Sequence, residues 1–267
     1  MATKFLKQKS GQIAYDVEGN GPLVVCVPSL GDLRGEYRFL RPLLVEAGFQ
    51  VATMDVRGHG ETSTNWDDFS VAGVGGDILD LIRELKAGPA VIVGTSMGGG
   101  AAIWAAVEAP DLVRGIILVD PFVDGKGDPF LQILFSIMFA RPWGPSMWLK
   151  YYASLYPTRK PADFDEYTSA LYENLKERGR LEAVLQMLYA SKEASGERMP
   201  QVTQPALVLM GSKDRDFKDP EGEAKRIAEA VRGKYVMIEN AGHYPHAEMP
   251  EITAPLMISF MQSLNGN

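Results

Sequence analysis

Ser96 stands in Gly94-Thr95-Ser96-Met97-Gly98, a G-x-S-x-G pattern, between the apolar run Ala90-Val91-Ile92-Val93 and the helix-forming Ala101-Ala102-Ile103-Trp104-Ala105-Ala106. A short β-branched run, a tight glycine turn and an alanine-rich segment read as strand, corner and helix. A serine at such a corner is held in a strained backbone conformation that lifts its hydroxyl clear of the sheet, while flanking glycines keep other side chains away. That makes Ser96 a candidate nucleophile. The helix that follows points unpaired N–H groups and the positive end of its dipole at the same place, which suits a developing oxyanion, with the Met97 amide as one donor.

A serine hydroxyl attacks at neutral pH only if a base takes its proton. The chain holds three histidines, His59, His243 and His246. His59 precedes Ser96 and lies between two glycines in Arg57-Gly58-His59-Gly60, so a structural role is expected for it. His243 directly follows Gly242 in a loop beyond the last strand, whereas His246 is closer to the closing helix; His243 is the preferred base. The imidazole in turn needs a carboxylate to fix its tautomer and to stabilise the imidazolium. Asp214, at a strand end between Ser96 and His243, is favoured; Asp216 and Asp120 are the alternatives. Such a set performs nucleophilic acyl transfer.

These residues require a scaffold of strand ends. Residues from about Lys4 to Glu18 read as two short antiparallel strands turning at Ser10-Gly11, and Gly19-Asn20-Gly21-Pro22 breaks the chain before the buried run Leu23 to Val27. Pro28-Ser29-Leu30-Gly31-Asp32 follows that run and is the natural second arm of an oxyanion site. A helix is expected from Glu36 to Ala47, a strand from Gln50 to Asp55, an amphipathic helix from Asp77 to Leu85 and a strand at Gly115 to Asp120. Strands then resume at Pro205 to Met210 and Tyr235 to Ile238, with helices at Glu221 to Val231 and Pro250 to Leu264. This alternation calls for an α/β fold with a mainly parallel sheet covered by helices on both faces. Between Pro121 and about Gln204 the alternation stops. An aromatic and methionine-rich stretch that includes Phe130, Leu131, Phe135, Phe139, Trp148 and Tyr152 precedes helical segments near Asp163 to Lys176 and Arg180 to Lys192. It reads as an all-helical lid, residues 121–204, inserted into a core made of 1–120 and 205–267.

Composition narrows the class. With 267 residues and 46% apolar content the chain can bury a substantial core. A net charge of −7 leaves no basic face for nucleic acid or an anionic membrane. The N-terminus turns polar before a signal-peptide core could form, and no apolar stretch is long enough to span a bilayer, so a cytoplasmic protein is expected. The single cysteine, Cys26, lies inside Leu23 to Val27 and reads as a buried core thiol. One cysteine and three histidines make no Cys/His cluster, and neither metal nor cofactor is expected.

Order and spacing of these pieces resemble the α/β-hydrolase superfamily over nearly the whole chain. The matching motifs are Gly94-Thr95-Ser96-Met97-Gly98, Asp55-Val56-Arg57-Gly58-His59-Gly60, Gly211-Ser212-Lys213-Asp214 and Ala241-Gly242-His243, with the lid after Asp120. The resemblance implies the α/β-hydrolase fold, a Ser96, Asp214, His243 triad and oxyanion donors from the Leu30 and Met97 amides. Where the family often has His-Gly before the first oxyanion residue, this chain has Pro28-Ser29, similar to the Asn-Ser-Leu-Gly variant of enol-lactonase-like members. The implied activity is a serine hydrolase acting through an acyl-enzyme on ester or lactone bonds of a small, partly apolar substrate. Thioesterase, perhydrolase and carbon–carbon bond hydrolase activities use the same residues, and a ligand sensor or scaffold of the same fold is the reading from another class. An aspartate nucleophile, as in dehalogenase-like and epoxide-hydrolase-like members, is excluded by Ser96.

Overall fold

The computed structural model describes residues 2–125 and 129–264, with the backbone alone for 129–131. Residues 126–128 of the expected lid, and the side chains of Phe130 and Leu131, thus lie outside the described residues. Eight strands form one sheet: β1 (Lys4–Lys7), β2 (Gln12–Glu18), β3 (Leu23–Val27), β4 (Gln50–Met54), β5 (Ala90–Thr95), β6 (Val113–Val119), β7 (Ala206–Gly211) and β8 (Lys234–Ile238). Their order is β1-β2-β4-β3-β5-β6-β7-β8. β1 pairs antiparallel with β2, and β2 with β4; every pairing from β4 to β8 is parallel.

Alternation along the central strands sends side chains to two cores, because successive Cβ atoms of a strand point to opposite faces. Leu23, Val25 and Val27 of β3 join one core with Ile92 and Leu118; Val24 and Cys26 join the other with Val93 and Val119. The first core is covered by α2 (Val71–Leu85), α3 (Met97–Glu108) and α9 (Pro220–Ala230), and the second by α1 (Leu40–Glu46) and α11 (Pro250–Ser263). Cys26 is fully buried, as its setting in the sequence implies.

Two helices differ from the sequence expectation. The span Glu36 to Ala47 is not one helix: a 3-10 turn at Arg34–Tyr37 precedes α1, which begins only at Leu40. Pro42 explains the break, since its ring collides with the carbonyl four residues back and is tolerated only in a first helical turn. In the other direction, α2 starts at Val71 rather than Asp77, capped by Ser70, whose hydroxyl accepts from the Gly73 amide at 3.2 Å. Gly73, Gly75 and Gly76 mask this first half by their low helix propensity. Gly75 is there for close packing: a Cβ on it would lie 2.4 Å from the Trp104 ring of α3.

Between β6 and β7 the chain makes a helical excursion: α4 (Pro129–Met138), α5 (Gly144–Ser154), α6 (Phe164–Lys176), α7 (Arg180–Tyr189) and the short α8 (Glu193–Gly196). These helices have their own aromatic core, with Phe139, Trp148, Tyr152, Tyr156, Phe164, Tyr167 and Leu171 buried together. Tyr244 and Ala247, from the loop after β8 and the short α10 (Pro245–Glu248), pack into the same cluster and so join the excursion to the sheet. Among the described residues no helix is long and apolar enough to cross a membrane.

Candidate active site

The strand order reverses at β3, whose neighbours β4 and β5 follow it in sequence on opposite sides. Loops leaving the C-terminal ends of β3 and β5 therefore diverge and leave a crevice, the place where open α/β sheets bind ligands. Ser96 and the segment Pro28–Asp32 flank that crevice.

Ser96 sits between β5 and α3 with φ 54° and ψ −118°, a conformation of high energy for a non-glycine residue. Its backbone is held from three sides: its amide donates to the Val119 carbonyl at 2.9 Å, and its carbonyl accepts from Gly99 and Phe122, each at 3.0 Å. The turn is too tight for side chains at its flanks. A Cβ at Gly94 would lie 2.3 Å from the Gly98 carbonyl oxygen, and one at Gly98 would lie 2.4 Å from that of Val27. The G-x-S-x-G spacing is thus a steric requirement of the corner.

The loop after β3 is fastened at both sides of Leu30. The Ser29 amide donates to Glu36 Oε2 at 2.9 Å, and the Gly31 amide donates to His59 Nε2 at 2.8 Å. Among the described residues the Leu30 amide itself has no hydrogen-bond partner. His59 has the structural role expected of it. Its Nδ1 lies 2.8 Å from the Arg57 carbonyl and its Nε2 accepts, so the ring is the neutral Nδ1–H tautomer. Burial holds its pKa down at about 4, against a smaller opposing effect of the Arg57 carbonyl.

His243 follows β8 and Asp214 follows β7. His243 Nδ1 and Asp214 Oδ2 are 2.6 Å apart, both side chains almost completely buried. Burial alone would depress the imidazole, but the Asp214 carboxylate outweighs it and raises the His243 pKa. Burial likewise opposes the Asp214 charge, and His243 overcomes it, so Asp214 lies below the usual carboxylate range. The second oxygen of Asp214 accepts from the Asp216 amide at 2.9 Å, which fixes the carboxylate plane.

The alternative residues have other partners or positions. Asp216 accepts from the Tyr151 hydroxyl at 2.5 Å. His246 is fully buried beneath Tyr37, ring centroids 4.9 Å apart, with its Nε2 3.1 Å from Glu36 Oε1. Asp120 lies behind Asp214: one ligand atom from each of Asp120, Asp214 and His243 falls within a span of 4.8 Å.

Ser96 and His243 open onto one cavity of about 410 Å³, which Ser29, Leu30 and Phe122 also line. Its walls come from the helical excursion, with Phe135 and Met138 of α4, Trp148 and Tyr151 of α5 and Leu188 of α7. Gln132, Lys192 and Asp216 add the polar groups. Sequence reading missed the support behind the loop: the Ser29 hydroxyl bonds both Glu36 Oε2 at 2.9 Å and the Tyr244 hydroxyl at 2.8 Å. A glutamate read as the start of a helix carries no local signal of such a role.

Comparison with known proteins places this architecture. The uncharacterized protein Rv2715 of Mycobacterium tuberculosis is 33% identical over 106 residues, and that match covers 40% of this chain and 31% of the relative's own length. The 2-(acetamidomethylene)succinate hydrolase of Mesorhizobium japonicum is 25% identical over 270 residues, covering 95% of this chain and 93% of that protein. The crystal structure of the enol-lactonase from Burkholderia xenovorans LB400 superposes with a TM-score of 0.82 at 20% identity, covering 97% of this chain and all of that one. The family model described as the Alpha/beta hydrolase family matches residues 24–256, across the sheet, the crevice and the helical excursion, and the chain belongs to the alpha/beta hydrolase family.

Proposed function

We propose that the protein is a serine hydrolase that cleaves carboxylic ester or lactone bonds of a small, partly apolar substrate. The observation that carries this reading is a strained Ser96 in the same cavity as His243, an imidazole whose far nitrogen is held at 2.6 Å by a buried carboxylate. Ser96 attacks the carbonyl carbon while His243 Nε2 takes the hydroxyl proton. The Asp214 carboxylate stabilises the imidazolium so formed, and the Leu30 and Met97 amides hold the oxyanion. His243 then protonates the leaving alcohol and activates a water that releases the acid. Residues 121–204 act as a lid over a core of 1–120 and 205–267, and their aromatic walls favour an apolar acyl or alcohol portion.

Intact-mass analysis after treatment with a fluorophosphonate probe tests the nucleophile: one adduct, mapped to Ser96 by peptide sequencing, is expected. Ser96→Ala should form no adduct and lose p-nitrophenyl ester and lactone turnover by a factor of about 10⁶. Wild-type turnover in that variant would overturn the reading. A panel of esters and lactones of increasing chain length then places the substrate.

A further inference from the structure

Asp120 is a buried carboxyl group that the proposed reaction leaves unused. It directly follows β6 at φ 42°, its amide donates to the Leu209 carbonyl at 2.9 Å, and its side chain is wholly inaccessible to solvent. One oxygen, Oδ1, accepts from the Gly211 amide at 2.9 Å. The other, Oδ2, meets no N–H or hydroxyl donor among the described residues. Its carboxyl neighbour is Asp214: one oxygen of each lies within 4.8 Å of the other and of a His243 ring nitrogen.

Two buried carboxylate anions at that separation repel, whereas an acid and an anion attract through a single O–H···O bond. Only one proton is needed, and the surroundings decide where it resides. Asp214 receives the His243 imidazole at 2.6 Å and the Asp216 amide at 2.9 Å, both of which favour its charge. Among the described residues Asp120 accepts from one amide donor, and the charged or titratable groups that face it are Asp214, Asp216 and, beyond Asp214, His243.

We propose that Asp120 is a neutral carboxylic acid in the resting protein and donates its proton as a hydrogen bond to Asp214, as a positioning residue for the Asp214–His243 pair. Burial first, and then the adjoining Asp214 charge, push the Asp120 carboxyl well above the usual carboxylate range, while Asp214 goes the other way. The bond fixes the orientation of Asp214 toward Nδ1 and draws off part of its negative charge, which tempers how strongly it raises the His243 pKa. The groups facing His243 are Asp214, Asp216, Glu36 and the Tyr244 ring. The effect on turnover rests on the proposed serine hydrolase reading; the protonation state of Asp120 does not.

Two variants separate acid from anion. Asp120→Asn keeps a carbonyl for the Gly211 amide and an N–H for Asp214, and asparagine accepts positive φ. Asp120→Gly removes both groups without backbone strain. The Asn variant should retain kcat/KM within about threefold of wild type and an unmoved acid limb. The Gly variant should lose about 10- to 100-fold, the size of a lost hydrogen bond to a charged group, and its acid limb should shift to higher pH. In D₂O at neutral pH, the infrared difference between wild type and Asp120→Asn should contain the C=O stretch of a carboxylic acid, and isotope-labelled aspartate should displace it.

Absence of that band, an Asn variant as impaired as the Gly variant, or a Gly variant with wild-type kcat/KM and pH profile would each overturn the proposal. The infrared measurement on the Asn variant decides the matter if the Gly variant does not fold. A missing Ser96 adduct with the band present overturns the hydrolase reading alone, and the converse result overturns only the Asp120 assignment.

Discussion

At the scale of the residue, the site depends on partners that differ in what they do to charge. Asp214 raises the His243 pKa against a burial that would lower it, so the carboxylate decides the sign. Asp214→Asn removes that effect and leaves burial dominant. The acid limb of kcat/KM should then move to lower pH, because the imidazole becomes neutral earlier on the pH scale, while kcat falls about 10⁴-fold as the wrong tautomer is favoured. A pH–rate series on both proteins measures the two effects separately. His59 and His246 show how little residue type alone says: each is buried, and one holds a loop amide while the other stacks on a tyrosine.

At the scale of the element, the corner and the helices that bear it are set by backbone chemistry. Helix α2 packs Gly75 against Trp104 of α3, the helix that begins just after Ser96, so its integrity supports the corner from behind. Its N-terminus relies on Ser70, whose side chain caps it. Ser70→Ala should cost about 1 kcal/mol of stability, seen as a fall in Tm of roughly 2–4 °C for a chain of this size, with kcat unchanged. Calorimetry and an ester assay on the same preparation check both halves. The elements legible in the sequence were those with strong periodicity, such as β3 and α6, whereas α1 and α2 were misjudged where a proline or a run of glycines set local propensity against tertiary packing.

At the scale of the whole molecule, the helical excursion is bonded to the crevice through Asp32. Its carboxyl accepts from Tyr152 of α5 at 3.0 Å and Tyr167 of α6 at 2.5 Å, so the loop after β3 and two helices of the excursion share one buried group. Burial, and then the nearby Glu36, raise its pKa to about 8. Between the unfolded carboxylate pKa near 4 and about 8, the folded protein keeps a proton that the unfolded chain releases. The contribution of Asp32 to stability is therefore complete below that window and declines as pH rises through it, by up to about 1.4 kcal/mol per pH unit. Asp32→Asn abolishes this slope. Denaturant unfolding across pH 5 to 8, expressed as wild type minus variant, should fall steadily with pH; a flat difference would contradict the assignment.

The sequence by itself determined the chemistry that is local: a serine between glycines that no side chain can replace, a strand before it, a helix after it, and the alternation that makes a parallel sheet with helices on both faces. Those features depend on residues adjacent in the chain, where sterics and periodicity act directly. Tertiary structure alone decided which of three histidines pairs with which carboxylate, that Glu36 and His59 hold opposite sides of Leu30, and that Asp120 stands behind Asp214. These are contacts between strand ends far apart in sequence. Burial and Coulomb forces assign their charges only once the sheet order has brought them together.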